Sequence, residues 1–195
     1  MDIRYVGKSV VRVDGLEKVT GRAVYSVDVE LPGMLYGAVL RSPVAHGRIV
    51  GVDVAEARKV AGVRAVVTGK DFPYTFGNMI KDQPFLAFDR VRYVGEPVVA
   101  VAAETELAAQ EAVRKVRVKY EELPAVFDPR EAVAKDAPLI HEHLEEYFRL
   151  PRFEIVPGTN ICVQRTYSLG DMEKGFAEAD EIVAEDYYAH PVAHT

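Results

Sequence analysis

The stretch from residue 97 to residue 120 constrains this chain more than any other. Pro97-Val-Val-Ala-Val-Ala102 is an almost unbroken apolar run. A run that short reads as a strand covered on both faces, because a strand with one wet face alternates. Thr105 follows as a helix N-cap, with Leu107, Ala108, Ala112, Val113 and Val116 along one stripe at helical spacing. Val116-Arg-Val-Lys-Tyr120 then alternates with period two. The spacing predicts a strand-helix-strand unit packed on an earlier sheet, and so a fold of mixed α and β elements.

The earlier sheet is expected from strands over 22–29, 34–40 and 48–54. They are separated by the turn chemistry of Leu31-Pro-Gly33 and Pro43-Val-Ala-His-Gly47 and form an antiparallel group. A short helix over 54–60 ends at Gly62, and Val63-Arg-Ala-Val-Val-Thr68 follows as a buried strand that Gly69 ends. From 136 to 158 the periodicity fades, with prolines at 138, 151 and 157, so this stretch reads as a linker. Beyond it, 162–168 is expected as a strand. Gly170-Asp171 opens a helix with Met172, Phe176 and Ala179 on one face, and Glu181-Ile-Val-Ala-Glu-Asp-Tyr-Tyr-Ala-His190 is a second strand.

Composition excludes several classes. At 49% apolar and 28% charged residues the chain is globular, and 195 residues can bury a core. A net charge of −6 argues against nucleic acid as a partner, since phosphate binding needs clustered Lys and Arg. No run approaches the roughly 18 apolar residues of a membrane span. Cys162 is alone, so no intrachain disulfide forms, and the chain is read as cytoplasmic.

Each polar candidate has a plain alternative. Val6-Gly-Lys-Ser9 matches the end of a phosphate-binding loop but lacks the earlier glycine and its strand, which leaves a surface turn. His141 and His143 could share one side of an extended segment and ligate a metal, yet no third ligand is near in sequence. His190 and His194 have i, i+4 spacing, but Pro191 breaks the helix that would align them. Adjacent carboxylates at Glu121-Glu122 and Glu145-Glu146 point in different directions. Cys162, between Ile161 and Val163, is expected to be a buried inert thiol. Gly95-Glu96-Pro97 reads as a fixed bend, or as a place where a ligand or backbone approaches closely. No catalytic, cofactor-binding or metal-ligating residue is assigned.

Five motifs occur in order: Asp14-Gly-Leu-Glu-Lys-Val-Thr-Gly-Arg-Ala-Val-Tyr25, Leu31-Pro-Gly-Met-Leu-Tyr36, Leu40-Arg-Ser-Pro-Val-Ala-His46, Val91-Arg-Tyr-Val-Gly-Glu-Pro97 and Tyr120-Glu-Glu-Leu-Pro124. Gly170-Asp-Met-Glu-Lys-Gly-Phe-Ala-Glu-Ala-Asp180 follows. In this order they closely resemble the start of the molybdopterin-binding large subunit of the xanthine dehydrogenase, aldehyde oxidase and carbon monoxide dehydrogenase family. The resemblance implies an α+β fold with an α/β-hammerhead domain over 1–135, a linker over 136–160, and the first strand-helix-strand of a molybdopterin-binding domain over 161–195. It also implies hydroxylation of heteroaromatics or aldehydes with water-derived oxygen at molybdenum. Two-iron, two-sulfur clusters and in some members FAD lie on partner subunits or domains. The catalytic residues of that family belong to later segments, so none is carried onto this sequence.

The chain stops at Thr195 inside what reads as a strand, which is the pattern of a front piece of a larger subunit. On that reading it is a non-catalytic scaffold whose last strand self-associates or frays. The alternative is a stand-alone hammerhead interaction module without chemistry. A carrier-domain reading would want a lysine at a tight hairpin tip, and neither Lys18 nor Lys70 sits in such a repeat.

Overall fold

The computed structural model describes residues 5–190 and 192. In chain order its elements are α1 (Gly15–Val19), β1 (Tyr36–Arg41), β2 (Gly47–Asp53), α2 (Ala55–Arg58), β3 (Val63–Thr68), β4 (Thr75–Phe76), β5 (Gln83–Pro84), β6 (Arg90–Val91), β7 (Pro97–Ala103), α3 (Glu106–Lys115), β8 (Arg117–Glu122), α4 (Pro129–Ala132) and α5 (Met172–Ala177). Short 3-10 turns lie at Ser26–Asp28 and Leu144–Glu146. Two compact units result. The first runs up to Gly77 and resumes over Asp82–Ala125, and the second comprises Asn78–Lys81 and the chain from Val126 onward.

In the first unit two three-stranded sheets have orders β1-β7-β3 and β6-β2-β8, with a small β4-β5 hairpin beside them. β7 is the central strand of its sheet, which its apolar run foretells. Val98, Val99, Val101 and Ala103 are buried on both faces. α3 packs across β1 and β7 with α2 beside it. Its cap is as expected, with Thr105 Oγ1 accepting the Ala108 N–H at 3.2 Å. The stripe is shifted: Ala108, Ala109 and Ala112 face the core, whereas Leu107 is 73% exposed. A tight helix-on-sheet contact accepts alanine methyls, and the larger Leu107 is turned away.

Three expectations are corrected. Residues 22–29 form no strand, because the Asp28 carboxylate takes the Tyr25 N–H at 2.9 Å and closes a 3-10 turn. β1 and β2 do not pair with each other, since β1 pairs with β7 while β2 pairs with β6 and β8. The β7-α3-β8 unit also does not return to one sheet: β7 lies in the first and β8 in the second. Periodicity reports that a strand exists and says nothing of its neighbours.

The second unit includes residues 136–160. Leu144 and Phe153 are buried there, and so is Ile80. Asn160 ties the segment together. Its Nδ2 donates to the carbonyls of Ala132 (3.0 Å) and Pro138 (2.9 Å), and its Oδ1 accepts the Ile140 N–H at 2.9 Å. Ile80 bridges Arg149 in antiparallel fashion, reinforced by Lys81 N–H to Phe148 O at 2.9 Å. Proline-rich irregular chain is held here by side-chain hydrogen bonds that leave no periodic trace. Of the two expected late strands, 162–168 forms no strand, and the chain there is tied by hairpin bonds, Val156 N–H to Ile161 O (3.1 Å) and Gln164 N–H to Glu154 O (3.0 Å). Residues 181–190 join no ladder among the described residues. The helix between them forms as expected, with Asp171 capping the Lys174 N–H.

Candidate functional site

Among the described residues the buried polar side chains are Ser42, His46 and Glu96, at 2%, 4% and 2% exposure. All three sit in one place, and the backbone register explains why. Arg41 pairs with Pro97 at the end of the β1/β7 ladder, and Gly47 with Val91 and Arg48 with Arg90 at the start of β2/β6. Between these ladders the Ser42 N–H donates to Glu96 O at 2.9 Å in the same register. The two sheets therefore share one continuous two-stranded ribbon. Residues 42–46 and 92–96 are the neck where it passes from the first sheet to the second. The Leu40–His46 and Val91–Pro97 motifs, distant in sequence, are the two sides of this neck.

Each polar group closes the neck onto backbone. Gly95, at φ +94°, turns its N–H onto Ser42 O at 2.7 Å, while Arg41 Nη1 donates to Gly95 O at 2.9 Å. Ser42 Oγ donates to Val44 O (2.9 Å) and accepts the Val44 N–H (3.0 Å). The Glu96 carboxylate accepts the Arg92 N–H across the loop. Burial raises the pKa of that carboxyl above its usual value, opposed by the Arg92 N–H and guanidinium. Burial likewise raises the pKa of the Tyr120 phenol above its usual value.

The third motif enters through β8, which flanks β2 on its other side. His46 Nδ1 lies 2.7 Å from Pro124 O. A carbonyl only accepts, so Nδ1 carries a proton, while the buried Nε2 has no hydrogen-bond partner among the described residues. Leu123 N–H donates to His46 O at 2.9 Å and continues the ladder. Arg90 and Arg92, 13% and 11% exposed, flank the Asp89 carboxylate at 3.7 and 3.8 Å. The Glu96 carboxylate, the Ser42 hydroxyl and His46 Nδ1 are thus engaged with backbone, and the Tyr120 hydroxyl beside them is buried without a hydrogen-bond partner among the described residues. The geometry defines a joint between two sheets.

The other sequence candidates stay apart. Gly7 lies in a turn at φ +77°, with Lys8 N–H bonded to Tyr5 O. His141 Nδ1 is 3.2 Å from the Tyr147 hydroxyl, and His143 is 3.5 Å from Glu146. Glu121 pairs with Arg48 at 3.7 Å. His190 contacts the Tyr188 ring edge-on, while Pro191 and His194 lie outside the described residues. Cys162 is exposed, contrary to expectation. Hairpin alternation turns Ile161 and Val163 inward and the thiol outward. Among the described residues no three His, Cys, Asp or Glu side chains converge on a metal position. No helix among them is long and apolar enough to cross a membrane. Sequence reading finds the Gly95 bend but misses the burial of Ser42, His46 and Glu96. The available signal is three polar motifs flanking apolar strands.

Two antiparallel sheets sharing one ribbon, with a capped helix on the first, make this an α+β domain of hammerhead type. Residues 20–124 match the family described as aldehyde oxidase and xanthine dehydrogenase, a/b hammerhead domain, and the chain belongs to that family. The chain is 43% identical over 189 residues to a probable xanthine dehydrogenase subunit from Bacillus subtilis, covering 96% of this chain and 23% of that protein. It is 37% identical over 195 residues to the nicotinate dehydrogenase large molybdopterin subunit of Eubacterium barkeri, covering 99% and 42%. Among solved structures, a Cu,Mo-CO dehydrogenase superimposes with TM-score 0.65 at 36% identity, over 72% of this chain and 18% of that one. Aldehyde oxidoreductase from Desulfovibrio gigas gives 0.63 at 31%, over 87% and 19%. The chain thus spans about a quarter to under half the length of these curated relatives.

Proposed function

We propose that this chain is the N-terminal part of the large subunit of a molybdenum hydroxylase. The complete subunit oxidises a heteroaromatic or aldehyde substrate by water-derived hydroxylation at a molybdopterin-bound molybdenum. Electrons leave through 2Fe-2S clusters, and in some assemblies FAD, on partner subunits in the cytoplasm. The single observation that carries this reading is the family match across the first unit together with relatives named for xanthine, nicotinate and aldehyde oxidation. The role of the chain itself is scaffolding. The backbone bonds that Ser42, His46 Nδ1 and Glu96 make across the neck support that role.

Metal analysis of the purified chain tests this. We expect no stoichiometric molybdenum and no hydroxylation of purines or aldehydes, because a metal centre needs its ligands and the groups that orient them. About one molybdenum per chain would overturn the scaffold role. Light scattering on the whole chain and on a version ending at Ala134 tests the remaining part: association through residues 181–188 should vanish in the shorter form. Equal multimeric masses would place the interface elsewhere.

A further inference from the structure

The second unit holds a cleft that the scaffold role leaves unused. Its volume is about 460 Å³, within the range of small-molecule pockets. Arg152 and Glu154 line it from one arm of the hairpin, and Gln164, Arg165, Thr166 and Tyr167 from the other. Both guanidinium groups lie over the same ring, Arg152 at 5.3 Å and Arg165 at 5.2 Å from the Phe153 centroid. Phe153 is itself buried, so the platform beneath the two cations is fixed. Arg165 is anchored further, with Nη1 donating to the Tyr167 hydroxyl at 3.0 Å and Nη2 to Arg152 O at 3.2 Å.

Among the described residues neither guanidinium is ion-paired, although Glu154 lines the same cleft. Two like charges are therefore gathered in one concavity by stacking and by backbone, with no counter-ion in contact. Repulsion between them is relieved by an anion whose oxygens meet both forks, which is what guanidinium geometry recognises. The cleft is larger than a bare ion requires, and Ile155 and Val156 add an apolar wall.

We propose that this cleft binds a small molecule through an oxyanion, a phosphate or carboxylate group. Arg152 is the open donor, Arg165 is the anchored one, and the Tyr167 O–H is directed by the bond its oxygen accepts from Arg165. The proposal rests on the second unit alone and is independent of the molybdenum reading.

Titration of the whole chain followed by NMR of the arginine Nε–H groups tests it, with inorganic phosphate and acetate as separate probes at constant ionic strength. Saturable shifts at Arg152 and Arg165 are expected, and the tighter probe names the oxyanion. Arg152→Gln keeps the carbonyl that Arg165 needs and should weaken binding by about tenfold or more. Glu154→Gln removes the one negative charge of the lining and should tighten it. Shifts that stay linear with both probes would overturn the proposal. So would an Arg152→Gln chain that binds as well as the unaltered one.

Discussion

Gly69 lies at the end of β3, and a methyl group added there would have no room. A Cβ at this position would stand 2.4 Å from Ala87 O and 2.6 Å from both Ala87 C and Leu86 O. All three are backbone atoms, so no side-chain rotation relieves the contact. The 86–87 segment must retreat by about 1 Å to reach ordinary van der Waals distance. That segment is not free to do so, because the Ala87 N–H donates to Pro97 O at 2.8 Å, at the entry of β7 and of the neck. Gly69→Ala should therefore cost about 1–3 kcal/mol, the usual range for overpacking. For a chain of this length that lowers Tm by roughly 2–4 °C per kcal/mol. Gly37→Ala is the control: a Cβ on Gly37, in β1, meets nothing within 4 Å. It should be neutral or slightly stabilising, as alanine loses less backbone entropy than glycine. Urea unfolding of the three chains, followed by circular dichroism, decides the matter. If Gly69→Ala and Gly37→Ala unfold at the same midpoint, the close approach at Gly69 does not exist and the placement of the 86–87 segment is wrong.

Glu96 sets a pH dependence. Its carboxyl pKa is raised by burial in the fold, so the protonated form is favoured there and stability falls as pH rises from its unfolded value through its folded one. Glu96→Gln keeps an acceptor for the Arg92 N–H and should flatten this decline in urea midpoints taken from acid to neutral pH. An unchanged slope would refute the burial argument. Thr105→Ala removes the cap of α3 and should cost about 1 kcal/mol in the same unfolding assay. Cys162, being exposed, should react with a disulfide reagent in the native chain, and protection until denaturant is added would mean the thiol is buried after all.

Elements whose identity rests on local chemistry are legible in the sequence. The apolar run of β7, the Thr105 cap of α3, the alternation of β8 and the Asp171 cap of α5 each lie within a dozen residues of chain. Side-chain period and capping are properties of neighbours in sequence. The Gly95 bend belongs to the same class, since a positive φ is a demand that a glycine announces by itself. Residues 22–29 mislead because their pattern is compatible with a strand, whereas a single carboxylate at Asp28 offers the backbone a nearer partner.

The sequence by itself determined which segments are strands and helices in most of the first unit, and through five ordered motifs it determined the family. Only the tertiary structure decided that β7 and β8 belong to different sheets. It alone made the Leu40–His46 and Val91–Pro97 motifs the two sides of one neck, and it alone buried Ser42, His46 and Glu96 there. Pairing partners and burial depend on residues some fifty positions apart meeting in one register. No local period encodes that register, because every alternating strand offers the same hydrogen-bonding edge to any other.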